Sequence, residues 1–368
     1  MAVYKIFPEK SATLYSYYPN LNSGQDEILE LSTYKSITGT NEVSRPLIKF
    51  PTDQINDIID NKISGASYDT YLKMYLSNAS ELPVNYTVFC YALTQDWNVG
   101  TGRLGNSPIT TNGVSWIYTN ELNGNVWTDT TFQSSQTGSY SPDGAVGGGT
   151  WWDYPSLQVS QSFNNISSKD IEIKVTDIVD IWYDNGIYFP NYGFILKHSS
   201  SLEFTDAPKF ELKYFSGTTH TIYPPSLEFR WDDSIYNTGS LNVVTSSLFA
   251  LTLGNNKGEF QQDSIQRFRV NVRDIYPSVA FRTSISYANA KALPSSSYWS
   301  IKDLDTEEIV VDYDTSYTKI SCDPNGNYFD VYMNGLEPER YYKLLIKTIV
   351  ENKEVVISDK DYIFKVIR

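Results

Sequence analysis

Residues 174–197 read KVTDIVDIWYDNGIYFPNYGFILK, and they carry a helix and a strand back to back. Val175, Ile178, Val179 and Trp182 recur at helical spacing, which predicts one short amphipathic helix. Thr176 and Asp177 stand where a side-chain oxygen would cap the first free N–H groups. Asp184-Asn185-Gly186 and then Pro190-Asn191 are turn formers that end the helix. Tyr192, Phe194 and Leu196 next alternate with Gly193, Ile195 and Lys197, the pattern of a strand buried mainly on one face. A helix of this kind, held between strands, is a fingerprint of a particular sort of β-domain.

The composition agrees with such a domain. The chain has 368 residues, room for about two domains with real cores. Aromatic residues make up 15% of it, with 29 tyrosines, and long runs of strong helix formers are missing, which points to an all-β protein. With 29 basic and 43 acidic residues the formal net charge is −14, which argues against nucleic acid as a direct partner. Cys90 and Cys322 lie far apart and are expected as free thiols. The opening MAVYKIFPEK has no apolar core of a signal peptide, and no apolar run is long enough to span a membrane. A membrane span and a secretory route are therefore not expected, and the sequons at Asn78, Asn85 and Asn165 are expected to be unmodified.

Alternation predicts strands at 12–16, 28–32, 45–50, 68–76, 84–93, 171–175 and 210–214, with a loop at 19–24. Val84, Tyr86, Val88, Cys90 and Ala92 share one strand face, so Cys90 is expected in the core. Residues 100–154 are irregular and rich in Gly, Ser, Thr and Asn. A loop of that length needs a function or its own packed aromatics.

Several pieces occur in the order of the DNRLRE-type β-sandwich, a jelly-roll-like module related to carbohydrate-binding domains. They are ATLYSYYPNLNSGQDEILEL (12–31), RPLIKF (45–50), TQDWNVGTG (94–102), GVSWIYTNELNGNVW (113–127), VTDIVDIWYDNGIYFPNYGFILKH (175–198) and APKFELKY (207–214). The chain resembles that family over residues 1–217, except that Lys197 stands where the family motif has its arginine. The resemblance implies an adhesive or sugar-binding role and no catalysis.

Tyr223-Pro224-Pro225 forms a stiff entry to a second domain, residues 218–368. Strands are predicted at 227–231, 249–253, 268–272, 342–347, 355–357 and 362–366. Leu336, Pro338 and Tyr342 have the spacing of the turn into strand F of fibronectin type III and immunoglobulin-like sandwiches, whose tyrosine hydroxyl bonds back to the corner. The fold expected is therefore all-β, with a jelly-roll-like sandwich followed by an immunoglobulin-like one. Over nearly its full length the chain resembles virion structural proteins of large tailed bacteriophages, particularly those of marine and cyanobacterial hosts. KIFPEKSATLYSYYPNLNSGQDEILEL (5–31), PPSLEFRWDD (224–233) and GLEPERYYKLLIKTI (335–349) carry that likeness. It implies a place in the neck, tail or fibre apparatus and assembly in the host cytoplasm.

Catalytic signatures are weak. His198 follows a strand into three serines and reads as a solvated strand end, and His220 lies in the interdomain stretch. There is no G-x-S-x-G elbow, phosphate loop or EF-hand loop. The acid pairs Asp232-Asp233, Asp303 with Asp305, Glu307-Glu308 and Asp312 with Asp314 read as solvated turns. No catalytic residue, metal site or cofactor is expected. Trp116, Trp127, Trp151 and Trp152, with Tyr118, Tyr140 and Tyr154, have a competitive functional reading, as a stacking platform for sugar rings or a subunit interface. Packing, either beneath the long loop or against a neighbouring subunit, is the favoured reading over sugar binding. The function expected is non-enzymatic: a multi-copy virion protein contacting other virion proteins, with host glycans as the rival ligand.

Overall fold

The computed structural model describes residues 2–36, 39, 41–127, 136–137, 147–152, 154–204, 209–276 and 290–368, with 136, 137, 200 and 204 described by backbone alone. Strands account for 46% and helices for 11%, so the protein is all-β and sandwich-like. Its contacts divide it into two units, one of Ile6–Lys62 and Asp69–Glu228, the other of Met1–Lys5, Ile63–Tyr68 and Phe229–Arg368.

In the first unit the helices α1 (Thr52–Asp57), α2 (Thr176–Asn185) and α3 (Ser200–Phe204) accompany one large curled antiparallel sheet. Helix α2 is the one expected from the sequence; α1, continued by a π-turn at Ile58–Ile63, comes in addition. Ile178, Val179 and Trp182 of α2 are buried, as their spacing predicts. Thr176 does not cap the helix; its hydroxyl accepts the Thr70 N–H at 2.9 Å and so ties α2 to the strand Tyr68–Met74.

The sheet runs Gln158–Asn164, Asn85–Ala92, Phe194–His198, Asn41–Lys49, Ile28–Lys35, Phe210–Phe215, Leu76–Ser80. The long strand Asn41–Lys49 serves two neighbours along one side. Residues 41–44 pair with Ile28–Lys35 and residues 44–49 with Lys10–Tyr15. Asn85–Ala92 buries Tyr86, Val88, Cys90 and Ala92 on one face, following the sequence alternation.

Phe194–His198 departs from its expected one-sided burial, since all five of its residues are buried. It lies between Asn41–Lys49 and Asn85–Ala92, and both its faces are covered. Phe194 meets Trp182 of α2 at 4.7 Å and Phe50 at 6.3 Å, centroid to centroid. Ile195, pointing the other way, joins a core of Ala12, Leu14, Leu47, Trp97, Trp116 and Trp151. Burying the lysine and histidine of this strand is the consequence, and it shapes the site described below.

The second unit packs two sheets face to face. One runs Phe249–Gly254, Ile265–Asp274, Gly326–Tyr332, Ser321–Asp323. The other runs Glu259–Gln261, Ile363–Ile367, Tyr341–Val350, Ser297–Asp303, Ile309–Val311, with Lys353–Ile357 also on Tyr341–Val350. Glu259–Gln261 pairs parallel with Ile363–Ile367, and the other pairs within these two sheets are antiparallel. Trp299 stacks on Phe329 at 5.3 Å across the core, and Phe268 contacts Phe329, Phe260 and Phe364. Alternation along Tyr341–Val350 puts Tyr342, Leu344, Ile346 and Thr348 inside.

Candidate binding surfaces

The tryptophans of residues 100–154 are interior. Trp116, Trp127 and Trp151 belong to one buried core with Trp97, and Trp152 is 9% exposed. Indoles this deeply buried serve mainly to pack the interior. The Trp127 indole N–H donates to the Ser115 carbonyl at 3.0 Å, and that of Trp97 to the Tyr192 carbonyl at 3.0 Å. Tyr154 keeps 39% of its surface exposed, and Tyr140 lies outside the described residues.

Beneath the indoles lies an ion cluster that alternation gave no sign of. Arg45 is fully buried, with Nη2 at 2.8 Å from Glu203 Oε2 and Nη1 donating to the Gly148 carbonyl at 2.7 Å. Its guanidinium lies 4.9 Å from the Trp116 ring centroid and 5.5 Å from that of Trp151. Lys197 reaches the same carboxylate at 3.4 Å and stands 4.7 Å over Trp151. Burial lowers the Lys197 ammonium to about 8 and the nearby Arg45 pushes the same way, against the attraction of Glu203. Two cations on one buried carboxylate are tolerable because the indole faces and a backbone oxygen share the positive charge. The cluster is sealed, and its geometry is that of a structural clamp between strand Asn41–Lys49 and α3.

His198 follows the same strand inward. The expectation of a solvated strand end is incorrect, since the imidazole is fully buried against Phe210 at 4.5 Å. Neither ring nitrogen has a well-formed hydrogen bond, although the Thr87 and Leu31 backbones face it. Burial lowers its pKa to about 4 and keeps it neutral. Asp303 also corrects its reading as a solvated turn: it is 1% exposed and takes both prongs of Arg340 at 2.7 Å. His220 is exposed.

Among the described residues, two surfaces of the first unit are open to a ligand. One is a polar cleft of about 280 Å³ lined by Lys10, Asp96, Trp97, Asn98, Asn120 and Asn125. Lys10 Nζ donates to the Trp97 carbonyl at 2.9 Å and lies 3.5 Å from Asp96. The Asn120 side-chain oxygen is buried without a hydrogen-bond partner. Amides, a carboxylate and an ammonium around one concavity suit a polyhydroxylated molecule, whose neighbouring hydroxyls both donate and accept.

The other is an aromatic surface at the C-terminal end of α2. Trp152, Tyr154 and Phe189 form a contacting trio, with Phe189 at 4.8 Å from Trp152 and 6.1 Å from Tyr154. Beside it Ile187 is 91% and Tyr188 76% exposed. Sequence reading placed Trp152 and Tyr154 among the binding candidates but missed residues 187–189, whose only signal was an apolar run inside turn chemistry. Among the described residues no group of three or more His, Cys, Asp or Glu is placed to hold a metal, and no helix is long and apolar enough to cross a membrane. No protein-family model matches the chain, and no curated protein matches it significantly.

Proposed function

We propose that the chain is a non-enzymatic structural protein of a tailed-bacteriophage particle, acting in assembly or fibre attachment through repeated protein–protein contacts. The resemblance of residues 5–31, 224–233 and 335–349 to such proteins suggests it. The observation that carries it is the aromatic surface: the indoles are consumed by interior packing, while Ile187 and Tyr188 project from a well-packed sandwich. Exposed apolar groups on a rigid support suit a protein neighbour. Many copies in a symmetric particle would sum weak contacts into a stable ring or sleeve. A cryo-EM map of purified particles tests this. Density for the chain in repeated, symmetric contact with neck, sheath, baseplate or fibre proteins is expected, and particles that lack the chain would refute it.

A second reading is favoured by the polar cleft: recognition of host surface glycans by Asp96, Asn98, Asn120 and Asn125. Trp97 lines that cleft, so glycan binding should alter tryptophan fluorescence, and Asn120→Ala should abolish the change. A flat titration with host polysaccharide would dispose of it.

A further inference from the structure

We infer that the surface at the end of α2 docks a protein segment bearing lysine or arginine among apolar residues. This rests on the assembly reading and names the chemistry of the partner. Tyr154, Phe189, Tyr188 and Ile187 supply the apolar ground. Its electrostatics are negative for two separate reasons. The carbonyls at a helix C-terminus carry a partial negative charge, and lysine or arginine normally stands in the last turn to meet it. Here the Asn185 carbonyl already accepts the Tyr188 and Phe189 N–H groups at 2.9 Å, so what is left to meet is the charge of the helix end. In α2 the last turn has no basic residue and has Asp184 instead. The Tyr183 hydroxyl, partly exposed, donates a hydrogen bond to Asp60 Oδ1, which adds a second carboxylate beside the helix.

An acidic residue in that turn breaks a local rule of helix stability, and among the described residues no cation of the chain is paired with it. A partner's cation would pair with Asp184 and meet the negative helix end, while its apolar neighbours cover Ile187 and Tyr188. A second copy of this chain fits badly, because a two-fold contact would set each acidic helix end near its twin.

The test uses the full chain and a synthetic peptide of alternating leucine and lysine, with a leucine/glutamate peptide as counterpart, followed by fluorescence anisotropy. The leucine/lysine peptide should bind and the leucine/glutamate peptide should not. Ile187→Ser combined with Tyr188→Ser, both exposed and therefore compatible with folding, should weaken binding at least about tenfold. Asp184→Asn should weaken it by about threefold. Equal binding to the double variant, or equal binding of both peptides, would overturn the inference. So would sedimentation showing a wild-type dimer that the double variant dissolves, since the occupant would then be a second copy. Particles provide the separate arm. Normal incorporation of the double variant defeats the docking surface and leaves the assembly reading standing, whereas a chain that binds the peptide but is absent from particles does the reverse.

Discussion

The Tyr342 hydroxyl donates to the Glu337 carbonyl oxygen at 3.0 Å, closing the turn that leads into strand Tyr341–Val350. The ring is 2% exposed, and Leu336 at the start of the same turn is equally sunk in the core. The bond therefore holds a corner against the sandwich, as the spacing of Leu336, Pro338 and Tyr342 predicts. Tyr342→Phe keeps the ring and removes the bond to a partly buried carbonyl, so the second unit should lose about 1 kcal/mol in urea unfolding. An unchanged midpoint would mean that the corner is held by packing alone.

Asp303 should contribute to the acid sensitivity of the second unit, beside Asp232 and Asp323, whose carboxyls are also lowered. Burial on its own would raise this carboxyl, but the Arg340 fork and the Thr306 and Asp305 N–H groups outweigh it and bring the pKa to about 2. A carboxyl lowered from 3.8 contributes stability that is complete above that value and is lost as pH falls towards 2. The expected loss is about 2 kcal/mol, and Asp303→Asn should remove this part of the acid slope while costing stability at neutral pH. Equal acid slopes in wild type and variant would show that Asp303 is not the group responsible.

What the sequence made legible follows from range. Alternation in Asn85–Ala92 and the periodicity of Ile178, Val179 and Trp182 are local, and both appear as read. Burial of Lys197, His198 and Asp303 was hidden because their cover comes from elsewhere: Trp151 and Glu203 for Lys197, Phe210 and Tyr86 for His198, and Arg340 for Asp303. A charged residue in an alternating strand normally marks the wet face. Here a second layer, built from the aromatic-rich stretch after residue 100 and from α3, turns that face into interior.

Asn22 shows the same effect in a loop. It looks like ordinary turn chemistry, yet it is fully buried and organises the chain around Val99 and Val114. Its Nδ2 donates to both those carbonyls at 2.8 Å, and its Oδ1 accepts the Gly102 N–H at 2.7 Å. Gly100, at φ +70°, and Gly113 crowd so closely on Asn22 that a Cβ at either would collide with its side-chain amide. Asn22→Ala should therefore cost at least about 3 kcal/mol by leaving three backbone groups unpaired. Hydrogen exchange at the Gly102 amide should accelerate with it. Retained protection there would assign the loop's order to other contacts.

His198 makes the first unit sensitive in a milder pH range. Its imidazole is buried neutral, with its pKa lowered from 6.5 to about 4, so the unfolded chain binds more protons between those values. Stability is then complete above about 6.5 and falls as pH drops towards 4, by up to about 3 kcal/mol. Asp26 acts in the opposite sense nearby: burial raises its carboxyl to about 6, which favours the folded state at low pH. Burial also raises Glu30, Glu42 and Glu121, so wild type alone shows a sum of opposing groups and the His198 part is read from a variant. His198→Phe leaves Asp26, Lys197 and Glu203 in place and substitutes a ring of similar size against Phe210 and Tyr86. The variant should gain stability relative to wild type as pH falls from 6.5 to 4 and show a constant offset above pH 7. A difference that stays flat through that window would mean that the imidazole is as easily protonated folded as unfolded, and the acid sensitivity would have to lie elsewhere.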